Sequence, residues 1–199
     1  MTSIFFAAGF AAVVTLGIGV APALAGEQRS VNGFELVPVL AAKQHEADSV
    51  SADKMDKAQA AHLDKSSLRI IAIDDKATYS VGRDHAGREI CLIVQTTTAE
   101  HASTAACIAA EKFVHSGLSV MASGSDPSSK VVAHLLPADV DTSSVPSVAS
   151  RSTSASLRQV RPEAAKQLVI QRPHEDLPDV SLLPIRGGTK AFHLIKFPG

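Results

Sequence analysis

The chain has 199 residues, with 19 Lys+Arg against 20 Asp+Glu and a formal net charge of −1. That balance supplies no broad basic field for nucleic acid and no acidic tail. Aromatic residues make up only 4% of the chain, with no Trp and one Tyr, which disfavours sugar-binding platforms and base-stacking surfaces.

Residues 4–20 form an uncharged apolar run, followed by Ala21-Pro22-Ala23-Leu24-Ala25-Gly26. Ala23-Leu24-Ala25 is an A-x-A cleavage signature with Pro22 breaking the helix just before it. Gly17 and Gly19 weaken the run as a membrane helix. These features read as a secretory signal cut after Ala25, although Met1-Thr2-Ser3 carries no side-chain positive charge. The alternative is an uncleaved anchor, since residues 4–25 are long enough to span a bilayer at about 20 residues per crossing. Either reading places the chain after residue 26 outside the cytoplasm, secreted or held on the outer face of the cytoplasmic membrane.

Residues 26–65 read as a linker carrying one short helix. Gly33 and Pro38 interrupt the apolar stretch 31–40. Ser51 is a suitable N-cap, and Val50 with Met55 forms a hydrophobic staple for a peripheral helix over residues 52–63. Its thin apolar stripe (Met55, Ala58, Ala61 or His62, Leu63) leaves mostly solvated charges.

The core domain is expected over residues 66–140. Residues 68–73 are apolar and rich in β-branched side chains, hence a strand. Residues 77–83 alternate, with Tyr79 and Val81 on one face. Asp84-His85-Ala86-Gly87 is a hairpin loop, with Asp at the first turn position and Gly at the last. Residues 88–95 are apolar on both faces from Ile90 to Val94, the mark of a central strand. Thr97 and Glu100 are spaced as a capping box, which predicts a helix to Ser116 with Ala102, Ala106, Ala109 and Phe113 on one stripe. Two more strands, 118–122 and 131–136, complete the domain. The expected fold is α+β: a mostly antiparallel sheet in the order β-β-β-α-β-β, with one Ala-rich helix packed on it.

Cys91 falls on the central strand and Cys107 on the expected helix. In an exported chain an even cysteine count reads as one disulfide, Cys91–Cys107, pinning helix to sheet. A closed loop of about 15 residues stabilises by roughly 3 kcal/mol in the chain-entropy model. A redox pair would ordinarily use C-x-x-C, which is absent.

Tyr79, Val81, Arg83, Gly87, Cys91 and Leu92 make a Tyr-x-Val-x-Arg-x-x-x-Gly-x-x-x-Cys-Leu hairpin. A second cysteine, a Phe113…Gly117-Leu118 pair and Leu136-Pro137-Ala138-Asp139 come after it. Over residues 63–140 this pattern resembles a group of uncharacterised actinobacterial exported or membrane-anchored proteins with one N-terminal hydrophobic segment and a small two-cysteine α/β domain. The last motif departs from the group's Pro-Asp-Gly. The resemblance implies compartment and fold and carries no activity.

Residues 141–165 are Ser/Thr-rich and read as a linker. In residues 166–199, 167–171 reads as a strand, and 180–185 with 191–197 as a hairpin around Gly187-Gly188-Thr189, with Pro184 marking an edge. Whether these strands join the core sheet is open from sequence.

No G-x-S-x-G elbow, Walker A loop or H-E-x-x-H is present. Asp139-Val140-Asp141 begins like a calcium loop, but Ser144 replaces the required Gly and no Glu stands at position twelve. Of the eight histidines, His101 and His115 lie too far apart along a helix to share an ion, and Glu111 with His115 is an ordinary i,i+4 pair. His134 alternates with Val132 and Leu136 as a sheet histidine. No cofactor, metal site or catalytic residue is nominated. The leading expectation is a non-catalytic exported domain that contacts an envelope or extracellular protein, with a possible membrane tether through residues 4–25. The alternatives are a small extracytoplasmic hydrolase recruiting His85 or His134 with an unassigned Ser and Asp, and a structural accessory subunit.

Overall fold

The computed structural model describes residues 32–53, 55, 57–97, 103–123, 130–143, 158–159, 161–171, 182–187 and 191–193. The expected export segment, Glu100 and His101, the turn at 124–129 and most of the Ser/Thr-rich stretch lie outside the described residues. Among the described residues no helix is long and apolar enough to cross a membrane.

Two short 3-10 turns, Gly33–Leu36 and Pro38–Ala41, precede helices α1 (Glu46–Asp53) and α2 (Lys57–His62). A four-strand meander comes next: β1 (Leu63–Ile73), β2 (Ala77–Asp84), β3 (Glu89–Thr96) and β4 (Ser103–Ala109). Helix α3 (Ala110–Ser116) leads into β5 (Leu118–Ala122) and β6 (Val131–Leu135). The remainder holds β7 (Arg158–Gln159), α4 (Pro162–Ala165), β8 (Leu168–Gln171), β9 (Leu182–Pro184) and β10 (Ala191–His193). One sheet has the order β4-β3-β2-β1-β7, a second β5-β6-β8, and β9 pairs with β10. The ladders are antiparallel, so the chain has the expected α+β class with mostly antiparallel sheet.

Alternation along β3 explains its uninterrupted apolar run. Leu92 and Val94 face the main core together with Tyr79, Val81 and Phe113, and there they meet Val120, Leu135, Leu168 and Ile170 of the second sheet. Cys91 and Ile93 face the other way, into a smaller cluster with Met55, Leu63 and Leu68. All five residues from Ile90 to Val94 are 0% exposed, as a strand paired on both edges and covered on both faces requires. The outer face of the second sheet is closed by Leu183 and Phe192 against Leu136 and Val169. The architecture is therefore sheet on sheet, and β8 joins β6 through Val132↔Gln171 to Leu135↔Leu168.

The expected Ala-rich helix is corrected. Its described part divides into strand β4 and the short helix α3. Alanine favours helices locally, but the free edge of β3 needs a hydrogen-bonding partner. The register Ile90↔Ile108, Leu92↔Ala106, Val94↔Thr104 supplies it. Helix α3 starts at Ala110, whose amide donates to Arg88 O at 3.0 Å. From β1 to β6 the observed order is β-β-β-β-α-β-β.

The peripheral helix also differs from the expected 52–63. Ser51 lies inside α1 rather than before a helix. Asp48, in the first turn of α1, accepts from the His45 amide at 2.7 Å, the return half of a capping box. Leu63 is taken into β1 by pairing with Asp84, which ends α2 at His62.

The turns are shaped by their acidic residues. Asp74 Oδ1 accepts from the Lys76 and Ala77 amides, and its Oδ2 accepts from the buried Tyr79 hydroxyl at 2.9 Å. Asp84 Oδ1 accepts from the Arg88 and Glu89 amides at 2.7 and 2.8 Å. Gly87 closes that loop at φ +64°, a backbone region glycine enters without strain. Between Asp64 and Arg69 the register of β1 shifts. There the Ser67 hydroxyl accepts from Arg83 N at 2.7 Å and donates to Asp64 O, replacing the lost ladder bonds.

Candidate functional site

Antiparallel register puts Cys91 of β3 directly opposite Cys107 of β4. They form a disulfide with a Cα–Cα separation of 4.1 Å, near the short spacing of a non-hydrogen-bonded pair. The expected pairing is present, but it joins two neighbouring strands rather than a helix to the sheet. With Cys107 on a strand, its side chain shares the outer face of the sheet with Cys91.

Period-two alternation places Glu89 on that same face, two residues before Cys91. Glu89 Oε2 lies 3.0 Å from His62 Nε2. His62 ends α2, and its backbone carbonyl accepts from the His85 amide at 3.1 Å, so the helix end is tied to the β2–β3 hairpin. One ring nitrogen of His62 and the sulfurs of Cys91 and Cys107 lie within 4.8 Å of one another. In sequence His62 reads as a residue on the stripe of a peripheral helix, and Glu89 as an ordinary strand position. No sequence signal joins them to the cysteines, because 27 residues separate His62 from Glu89 and the register alone brings them together.

This corner opens onto a cleft of about 1250 Å³. Three segments line it with His62: residues 32–34, the 84–89 hairpin and residues 109–115. Its polar groups have both signs, including Glu89, Glu111, Arg88 and Lys112. Phe34 forms part of the wall, with the Arg83 guanidinium 4.7 Å above its ring, a cation–π contact. Burial alone would raise the Asp84 pKa, but the Glu89, Arg88 and Ala86 amides, with the charge of Arg88, hold the carboxyl below its ordinary range. A second depression of about 460 Å³ lies between the Pro38 turn, the Pro137–Val140 region and α4.

The two histidines considered for hydrolysis lie apart. His85 is exposed at the hairpin tip. His134 is 0% exposed in β6, opposite Ser119 of β5, and Ser119 Oγ lies 2.8 Å from its Nδ1. Burial pushes the His134 pKa down to about 4, opposed only in part by a Gln171 hydrogen bond. The ring is therefore neutral at pH 7. This is a Ser–His pair at hydrogen-bond distance, but neither cleft is lined by Ser119 or His134, and a nucleophile must be reached by its substrate.

His115 and Glu111 both line the first cleft from α3. No family model, no curated protein and no solved structure matches this chain.

Proposed function

We propose that this chain is a non-catalytic exported domain, secreted or anchored on the outer face of the cytoplasmic membrane, that contacts an envelope or extracellular protein. The observation that carries the reading is the Cys91–Cys107 disulfide, a bond that persists in oxidising compartments and is rare in the cytosol. The signal-like or anchor-like segment 4–25 and the resemblance of the Tyr79–Cys91 hairpin to exported two-cysteine domains point the same way. The mixed-charge cleft between the 84–89 hairpin and α3 is the face offered to a protein partner. Its charges of both signs suit neither a polyanion nor an apolar ligand. The hydrolase alternative loses support because Ser119 and His134 face one another within the second sheet and away from the clefts.

The test combines fractionation with crosslinking in the native host. A photo-crosslinking residue replaces Lys112 in the cleft and, as a control, Leu182, which is 50% exposed on β9. The expected result is a chain outside the cytoplasm, resistant to thiol alkylation until reduced, with one crosslinked protein from the Lys112 position only. A cytoplasmic chain with alkylatable thiols would overturn the export reading. Esterase or peptidase turnover that disappears in Ser119→Ala would overturn the non-catalytic reading in favour of the hydrolase.

A further inference from the structure

We propose that His62, Cys91 and Cys107 form a redox-gated site for a zinc-class cation, closed while the two sulfurs are joined and opened by their reduction. The proposal goes beyond the reading above, and its test on the purified chain does not depend on where the protein resides. It rests on three ligand types that one sheet face and one helix end bring together within 4.8 Å.

The distances suit the ion. With Zn–S near 2.3 Å and Zn–N near 2.0–2.1 Å, donors around a tetrahedral zinc lie about 3.3–3.8 Å apart. Three donor atoms already confined within 4.8 Å reach that arrangement by side-chain rotation. The backbone can stay where it is, because the flanking pairs Ile90↔Ile108 and Leu92↔Ala106 join β3 to β4 through ladder pairing of their own. Two thiolates and an imidazole favour zinc over magnesium or calcium, which prefer oxygen.

Glu89 completes the arrangement. Its carboxylate sits 3.0 Å from His62 Nε2, and the proposal assigns the other ring nitrogen, Nδ1, to the ion. A carboxylate on the far nitrogen of a ligating histidine fixes its tautomer and its ring orientation. Glu89 is thus a positioning residue. His62 is 57% exposed along its side chain, so the ion enters from solvent and the fourth coordination position belongs to water.

A dithiol, or two molecules of a low-molecular-weight thiol, delivers two electrons and two protons to the Cys91–Cys107 bond and leaves as its own disulfide. The S–S bond breaks and two thiols form. Zinc then displaces both thiol protons to solvent, and two thiolates neutralise its charge. The 16-residue separation of the cysteines hides the site from any search for a C-x-x-C knuckle.

The test uses the full chain, reduced by a phosphine that is then removed without air, and titrated with Co²⁺ as a spectroscopic probe and Zn²⁺ as competitor. The expected result is one Co²⁺ per chain with thiolate-to-cobalt charge-transfer absorption and tetrahedral d–d bands, all displaced by one equivalent of Zn²⁺. The oxidised chain gives none of these. His62→Ala, at an exposed position, weakens Co²⁺ binding more than tenfold, and Glu89→Gln weakens it roughly tenfold to a hundredfold. Binding that is absent in the reduced chain, or unchanged in His62→Ala, overturns the proposal. If the reduced chain unfolds without metal, Zn²⁺ must restore its circular dichroism and raise its Tm while Mg²⁺ does not. Failure of Zn²⁺ to do so overturns it as well.

Discussion

The guanidinium of Arg161 grips the carboxylate of Asp48 across 113 residues of sequence, with Nη1 donating to Oδ1 at 3.0 Å and Nη2 to Oδ2 at 2.7 Å. Asp48 is 0% exposed. Its Oδ1 also accepts from Ile70 N at 2.7 Å, while Arg161 Nη1 donates to Ile70 O at 2.6 Å. One ion pair therefore ties α1, strand β1 and the segment entering α4 into a single unit. Arg69 reinforces the same corner by donating to Ala42 O at 2.8 Å and to Ser66 O at 2.7 Å.

Breaking that pair should leave an uncompensated buried charge. Asp48→Ala and Arg161→Ala are each expected to lower stability by about 3–5 kcal/mol, read from urea unfolding. The double variant should cost clearly less than the sum. Strict additivity would mean that the two side chains do not act as a pair.

Acid should act on two buried groups in separate windows. Burial would raise the Asp48 pKa, but the Arg161 and backbone hydrogen bonds together hold it below the ordinary carboxylate value. Its contribution is present above the unfolded pKa of about 3.9 and is lost as pH falls through the lower folded value. His134 titrates at about 4 when folded and near 6.5 when unfolded. Between those values the unfolded chain binds a proton that the folded chain refuses, so stability falls as pH drops, by up to roughly 3 kcal/mol. His134→Gln, which keeps a polar group opposite Ser119, should flatten the dependence between about pH 4 and 6.5. A slope unchanged in that variant would remove His134 as its source.

Loss of the disulfide should be costly without erasing the ladder. The double variant Cys91→Ala, Cys107→Ala is expected to lose about 3 kcal/mol from restored chain entropy, while amide exchange at Leu92 and Ile93 stays among the slowest. Fast exchange along β3 would show that the bond, rather than the pairing, holds β4 in place.

Gly117 ends α3 at φ +57° and ψ −155°, a region open in practice to glycine alone. A Cβ there would stand 2.6 Å from Leu135 O. Gly117→Ala should therefore lower stability by about 1–3 kcal/mol for the backbone conformation alone, with a further loss from the contact, seen as a lower urea midpoint. A neutral outcome would mean that the turn between α3 and β5 re-forms elsewhere.

Local patterns carried much of the fold. The double-sided apolar run of residues 90–94, the alternation in 77–83 and 118–122, and the Asp84 and Gly87 turn each matched the element observed, because each depends on neighbours within a few residues. The Ala-rich stretch misled for the same reason. Its small side chains and the Thr97–Glu100 spacing favour a helix locally, whereas the unpaired edge of β3 and the Cys91 sulfur act from 16 residues away.

Sequence by itself determined the fold class, the central strand, the hairpin turns and the identity of the disulfide partners. These rest on periodicity, turn chemistry and cysteine count, which need no knowledge of distant contacts. Tertiary structure alone decided that residues 103–109 extend the sheet, that β8 joins the second sheet, and that His62 and Glu89 stand beside Cys91 and Cys107. The physical reason is register. Strand pairing sets which residues face each other across the sheet, and that choice is made by the burial of whole faces, which no short window of sequence contains.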